Sequence, residues 1–223
     1  MDINDDKKEV KQLLLLATLA GNIMLRNGAE TYRVEDTIER ICKSRKSIKY
    51  TDAFAIPTGI FISLEHKDEM MTYLLRIKST GIDLNKIDLV NDFSRRFVNS
   101  DMGIDKGLKM LREINEVKNY GALTKTLFGS LACAFFSVLF GGSFWDFISS
   151  YLVSFLVLSV LNWIGKYKPT FFISNFIGAS LVSILALFIT RIGIGQNMDI
   201  IIIGSIMSLV PGVAITNAIR DTM

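Results

Sequence analysis

Three polar side chains and a proline interrupt the last long uncharged stretch of this chain. Ser208, Thr216 and Asn217 surround Pro211-Gly212 within residues 200–219. Proline has no N–H, so a helix running through it leaves the carbonyl four residues back, that of Met207, without its donor. A freed carbonyl, two hydroxyls and an amide could hold a small polar molecule. A ligand carrying ammonium and carboxylate groups would suit them, together with the Arg220/Asp221 pair just beyond and the amide of Asn175 in the preceding stretch. A plain structural kink is the competing reading, and for Asn162, Asn175 and Asn217 so is hydrogen bonding between helices. A second cluster, Glu30, Arg33 and Glu35, falls within six residues. It reads either as an exposed ion-pair network or as a docking or gating point. His66 has no Ser or Cys partner in sight and reads as a surface histidine. Cys42 and Cys133 lack the His/Cys neighbours of a metal site and predict no disulfide. No GxGxxG, GxxxxGK[ST] or nucleophile-elbow pattern is present. The expectation is therefore no catalytic residue, no metal, no cofactor and no enzyme.

These residues sit on a chain with a strongly uneven charge distribution. Of 223 residues, the first 120 hold 20 of the 25 Lys+Arg and 19 of the 22 Asp+Glu. The remainder holds only Lys125, Asp146, Lys166, Lys168, Arg191, Asp199, Arg220 and Asp221. Crossing a bilayer takes roughly 20 mostly apolar residues, and the uncharged runs between these charges have about that length. They predict four spans, at about 122–141, 146–165, 169–190 and 200–219, which excludes a wholly soluble protein. MDINDDKKEV at the start is not followed by an apolar segment with a cleavage site, which excludes a secreted one. The net charge of +3 comes from interleaved signs, which argues against nucleic acid. Five of the six basic residues flanking the spans fall on the N-terminal side. The positive-inside rule then places residues 1–120 in the cytoplasm and the protein in the cell membrane as a multi-pass chain.

Periodicity in the charged half predicts two helices, three strands and two helices. Residues 6–27 carry apolar side chains at helical spacing. Gly28 is suited to the left-handed end of that helix, and Asn27 with Glu30 has the spacing of a capping box for the next, which runs to about Lys46. Residues 50–56 and 60–65 form a hairpin around Pro57-Thr58-Gly59, with Gly59 supplying a positive φ. Residues 70–78 form a third strand, and 84–99 and 104–118 the last helices. The fold class is thus an α-helical integral membrane protein with an N-terminal cytosolic α/β domain, residues 1–120, of helices and a small antiparallel sheet. Residues 121–223 form the transmembrane domain. Two faces of small residues recur there every four positions: Gly129, Cys133, Ser137, Gly141, and Gly204, Ser208, Gly212, Thr216. They fit close helix packing, or a wall beside a substrate path.

Three segments together resemble the threonine/serine exporter family: GAETYRVEDT at 28–37, AIPTGIFISLE at 55–65 and LVPGVAITNAIRD at 209–221. The resemblance is to the N-terminal half of full-length members, which in the split type is a separate protein paired with a small all-membrane subunit. It implies proton-motive-force-linked export of threonine and serine, with dicarboxylate (succinate) export as the alternative for a split pair. It carries motif positions onto Gly28, Ala29, Glu30, Thr31, Arg33, Glu35, Pro57, Thr58, Gly59, Pro211, Gly212, Asn217, Arg220 and Asp221. It also implies a fifth span beyond the last motif, whereas this sequence ends at Met223, as a truncated or shortened chain would. The function expected is one component of an oligomeric exporter working in the bilayer with that small subunit. The competing reading is an anchored regulatory or assembly subunit that transports nothing.

Overall fold

A computed structural model describes residues 3–167 and 169–222, apart from the side chains of residues 3–6 and 221. Lys168 and the Asp221 side chain, both used in the sequence reading, lie outside the described residues. The chain divides into two compact units: Met1–Asn119 with Gly212–Met223, and Tyr120–Pro211.

The first unit contains α1 (Ile3–Arg26), α2 (Thr31–Lys43), β1 (Tyr50–Ile56), β2 (Gly59–His66), β3 (Glu69–Arg76), α3 (Leu84–Val98), α4 (Ile104–Glu116) and, from the far end of the chain, α9 (Gly212–Asp221). The strands form an antiparallel sheet in the order β1-β2-β3. Alternation decides its faces. Ala53, Ala55, Ile60, Ile62 and Leu64 point inward and are buried, while Phe54, Phe61 and Leu74 lie side by side on the outer face. The inward row packs with Leu13, Ala17, Ile23 and Met24 of α1, Val34, Ile38 and Ile41 of α2, and Phe93 and Phe97 of α3 in one core. Each large side chain so buried contributes about 1.5–3 kcal/mol.

α1 ends as its sequence predicts. Gly28 takes φ +90°, the Ala29 N–H bonds the carbonyl of Met24 and that of Gly28 the carbonyl of Leu25, a Schellman closure. The expected capping box does not form. Glu30 occupies the N-cap without a side-chain cap bond, and Asn27 turns its amide back to the Ile23 carbonyl, 2.6 Å away. The β1–β2 turn also differs from expectation. Ile56 pairs with Gly59, so the loop is only Pro57-Thr58. Gly59 needs no positive φ; it is there because a Cβ would lie 3.1 Å from the Leu75 carbonyl. The positive φ values fall on Lys67 and Asp68 between β2 and β3, the pattern of a type I′ turn, whose twist matches that of the strands it joins. His66 is not on the surface: it is buried, with Nδ1 2.8 Å from the Ser47 carbonyl.

The second unit contains α5 (Ala122–Leu139), α6 (Phe144–Ile164), a 3-10 turn (Gly165–Tyr167), α7 (Phe171–Arg191), α8 (Met198–Ile206) and a second 3-10 turn (Met207–Leu209). Ala122–Leu139, Phe144–Tyr167 and Phe171–Arg191 are long and apolar enough to cross a membrane. A fourth crossing exists only if Met198–Leu209 and Gly212–Arg220 count as one broken pair. The single helix expected over 200–219 is therefore two. The physical cause is local: the residue before a proline is driven out of the helical region. Val210 accordingly adopts φ −71°, ψ 127°, and the turn before it tightens to 3-10.

Candidate functional site

Most of the predicted pathway and motif residues are split between the two units. In the first unit, α2 presents Glu30 at its start, and α9 presents Asn217 and Arg220 one turn apart. An Arg220 guanidinium nitrogen, Nη1, donates to Glu30 Oε1. The Asn217 amide donates to the Gly28 carbonyl at 3.3 Å. Glu30 Oε2 is buried without a hydrogen-bond partner and lies 4.0 Å from Arg33 Nη1. Two segments 190 residues apart in sequence thus meet at the Schellman corner of Gly28. The carboxylate is shared between two guanidiniums, so a competing carboxylate at Arg220 would weaken the docking of α9.

Glu35 does not join this cluster. Its Oε1 accepts the Ala55 N–H at 2.7 Å, tying α2 to the edge strand β1. Pro57 and Thr58 lie exposed at the hairpin tip, and the Thr58 carbonyl accepts the Ile77 N–H. Gly212 and Thr216 are exposed on α9, where the Thr216 hydroxyl bonds the Gly212 carbonyl of its own helix.

Ser208, Pro211 and Asn175 belong to the second unit. The Ser208 hydroxyl donates to the Ser205 carbonyl at 3.3 Å, and Asn175 is half-buried on α7. Of the small-residue faces, the middle of the first meets the start of the second. A Cβ on Gly204 would lie 2.8 Å from the Ser137 Cβ and 3.1 Å from the Cys133 carbonyl oxygen. Gly129 faces Leu158 instead, and nothing lies within 4 Å of a Cβ built on Gly141. Asn162 does join two helices, donating to the Thr126 hydroxyl at 2.8 Å.

The sequence reading passed over the strongest polar feature of this unit. Asp146 is fully buried. Its Oδ1 accepts the backbone N–H groups of Gln196 (2.8 Å) and Asn197 (2.9 Å), and its Oδ2 accepts the Ser143 N–H (2.9 Å) and hydroxyl (2.9 Å). Ser143 in turn caps α6 by accepting the Asp146 N–H. The signal was present as Ser143-x-x-Asp146, an acid three residues after a serine at the start of a helix. Below Asp146, the buried face of α6 continues through Ser149, Ser150, Val153, Ser154 and Val157. The outer faces are the reverse: Phe128, Phe135, Leu156, Phe172 and Phe176 are exposed, and aromatic residues mark both ends of α6 as Trp145 and Trp163.

Among the described residues no group of His, Cys, Asp or Glu could hold a metal ion. Residues 15–223 match the family described as "Putative threonine/serine exporter". No curated protein and no solved structure matches the chain. The matched stretch contains the Glu30 corner, the three long apolar helices and the Pro211 break together, and on it the chain belongs to the threonine/serine exporter family.

Proposed function

We propose that this chain is one component of a membrane exporter of small polar metabolites, threonine and serine first among them, driven by the proton-motive force and completed by a small all-membrane subunit. The observation that carries the transport reading is the polarity of the second unit. Its aromatic side chains and many aliphatic ones face outward, as a bilayer requires, and one carboxylate and a set of hydroxyls lie inward among Val153, Val157, Val182, Ile189 and Ile201. Family membership supplies the substrate class. The experiment is efflux of labelled threonine and labelled succinate from cells expressing the chain with and without the small subunit. Threonine efflux should rise several-fold when both are present. Glu30→Arg or Arg220→Glu alone should abolish that rise, and the exchanged pair Glu30→Arg/Arg220→Glu should restore part of it. Succinate efflux alone would move the reading to dicarboxylates, and no efflux of either would remove it.

One observation favours the non-transporting reading. Met198–Leu209 rises only about 18 Å at ~1.5 Å per residue, against a hydrocarbon core of about 30 Å, and residues 212–223 group with the charged unit. Threonine efflux by the small subunit alone, unchanged by this chain, would establish that reading.

The same proposal places the charged unit in the cytoplasm, from the basic residues flanking the long helices. Cysteine labelling checks this, because the native thiols are silent. Burial, with Glu39 nearby, pushes the Cys42 thiol up to about 12, and Cys133 is buried. At pH 7.5 a membrane-impermeant maleimide should leave the wild type unlabelled. It should label Phe144→Cys in intact cells, and Lys118→Cys only after permeabilisation. The opposite pattern would invert the orientation.

A further inference from the structure

Four serine hydroxyls in the second unit, Ser149, Ser150 and Ser154 of α6 and Ser205 of α8, are fully buried and have no hydrogen-bond partner. Serine on an apolar helix ordinarily returns its hydroxyl to a carbonyl of the preceding turn. Ser130 and Ser137 of α5 and Ser159 on the outer side of α6 do so here. The four unpartnered serines point away from that solution. A buried hydroxyl without a partner is costly, and its presence calls for an occupant.

Two of them share a level, and a third lies one helical turn away. The hydrogen bond from the Asn197 N–H to Asp146 sets the starts of α8 and α6 side by side. Counting from that contact at ~1.5 Å per residue, Ser150 lies about 6 Å along α6, Ser154 about 12 Å along α6 and Ser205 about 12 Å along α8. Ser154 and Ser205 therefore share one level, close to the middle of a hydrocarbon core about 30 Å thick.

The charge of the surroundings selects the ligand. Asp146 is the one buried charged residue among those described, and its two oxygens are already taken by four donors. It leaves the serine layer with no buried cation, among the described residues, to receive a carboxylate. A primary ammonium brings three N–H donors to hydroxyl oxygens that have none. Building on the exporter reading above, we propose that Ser150, Ser154 and Ser205 form a binding layer for the ammonium end of a small zwitterionic amino acid, one that opens by separation of α6 and α8 and discriminates against dianions.

The test uses the full chain, purified in lipid nanodiscs, with threonine, sodium chloride and succinate as separate probes. Threonine should raise the melting midpoint of the wild type. Ser154→Ala and Ser205→Ala should each weaken that binding at least tenfold while leaving the unliganded midpoint unchanged or higher, since each removes an unpartnered hydroxyl. A packing serine would show neither effect, and Ser159→Ala serves as that control. Variants that bind threonine as the wild type does would overturn the site. So would a wild type that threonine does not stabilise. A serine-dependent shift by sodium alone would overturn the ammonium assignment in favour of a metal cation, and one by succinate would overturn the charge argument. Efflux of threonine from cells separates the two readings. If efflux persists while binding at the serines fails, the exporter reading stands and its site lies elsewhere.

Discussion

Asp146→Ala should lower the stability of the helical unit by about 3 kcal/mol, seen as a large drop in the thermal midpoint of the purified protein. Hydrogen bonds to a charged group contribute about 1.5–3 kcal/mol each, and Asp146 makes four with protein donors. The full sum is not expected. Gln196 and Asn197 are exposed residues, so their N–H groups recover water once the carboxylate is gone. The loss falls mainly on the α6 start, where the capping pair disappears, and on the tether between two connections 50 residues apart. Asp146→Asn should cost about half as much. Its carbonyl oxygen still serves the Gln196 and Asn197 N–H groups, but its NH2 would face the Ser143 N–H, donor against donor. Ser143→Ala removes one cap and should cost about 1 kcal/mol. An Asp146→Ala midpoint within error of the wild type would mean that this carboxylate does not hold the unit together.

Gly204→Leu is the second large effect, at about 3 kcal/mol or above. The first added carbon already meets atoms that cannot step aside: the Ser137 Cβ at 2.8 Å, the Ser137 backbone nitrogen at 3.0 Å and the Cys133 carbonyl oxygen at 3.1 Å. Overpacking costs about 1–3 kcal/mol where side chains can rearrange. Here α8 itself must move away from α5, which also breaks the contact between the Cys133 thiol and the Ser205 carbonyl. Gly178 is the control. Its Cβ would meet only the ends of Leu209 and Leu161 side chains, at 3.0–3.2 Å. Gly178→Ala should therefore cost under about 1 kcal/mol. Equal effects at the two glycines would show that backbone proximity at Gly204 is not what its small size serves.

The sequence was most informative where one local rule governed the outcome. Val34, Ile38 and Ile41 repeat at helical spacing and all three are buried, because a single apolar stripe has only one way to face a core. Gly28 ends α1 with a positive φ because a residue without a Cβ takes it at the least cost. Local rules failed where two of them competed. Asn27 and Glu30 have capping-box spacing, yet Asn27 prefers the Ile23 carbonyl and Glu30 prefers an arginine that no window around it contains. The Glu30–Arg220 pairing is invisible to any local reading. Pro211 was legible as a break, but the regrouping of α9 with the charged unit was not, since residues 200–219 carry no charge and read as one continuous run. Asp146 was legible in principle: it stands at the start of an apolar run, and a charge there was read only as a boundary mark.

The bonds described above leave the helices of the second unit unequally anchored. α5 and α6 are fastened near the Ser143 end by the connection between them and near the other by Asn162 and Thr126. α8 is fastened at its root by Asp146 and gripped part-way by Cys133. Its last turn is 3-10, and the chain beyond it leaves the helical region at Val210. α8 is mechanically a cantilever. Bending stress applied at the tip is carried back to the root, and the tip has the greatest travel. A deflection of roughly 15° about Asn197 displaces Leu209, about 18 Å along at ~1.5 Å per residue, by about 5 Å, and Ser205 by about 3 Å. Such a swing carries Ser205 off the Cys133 thiol and Leu209 off Gly178, so those two contacts set what it costs.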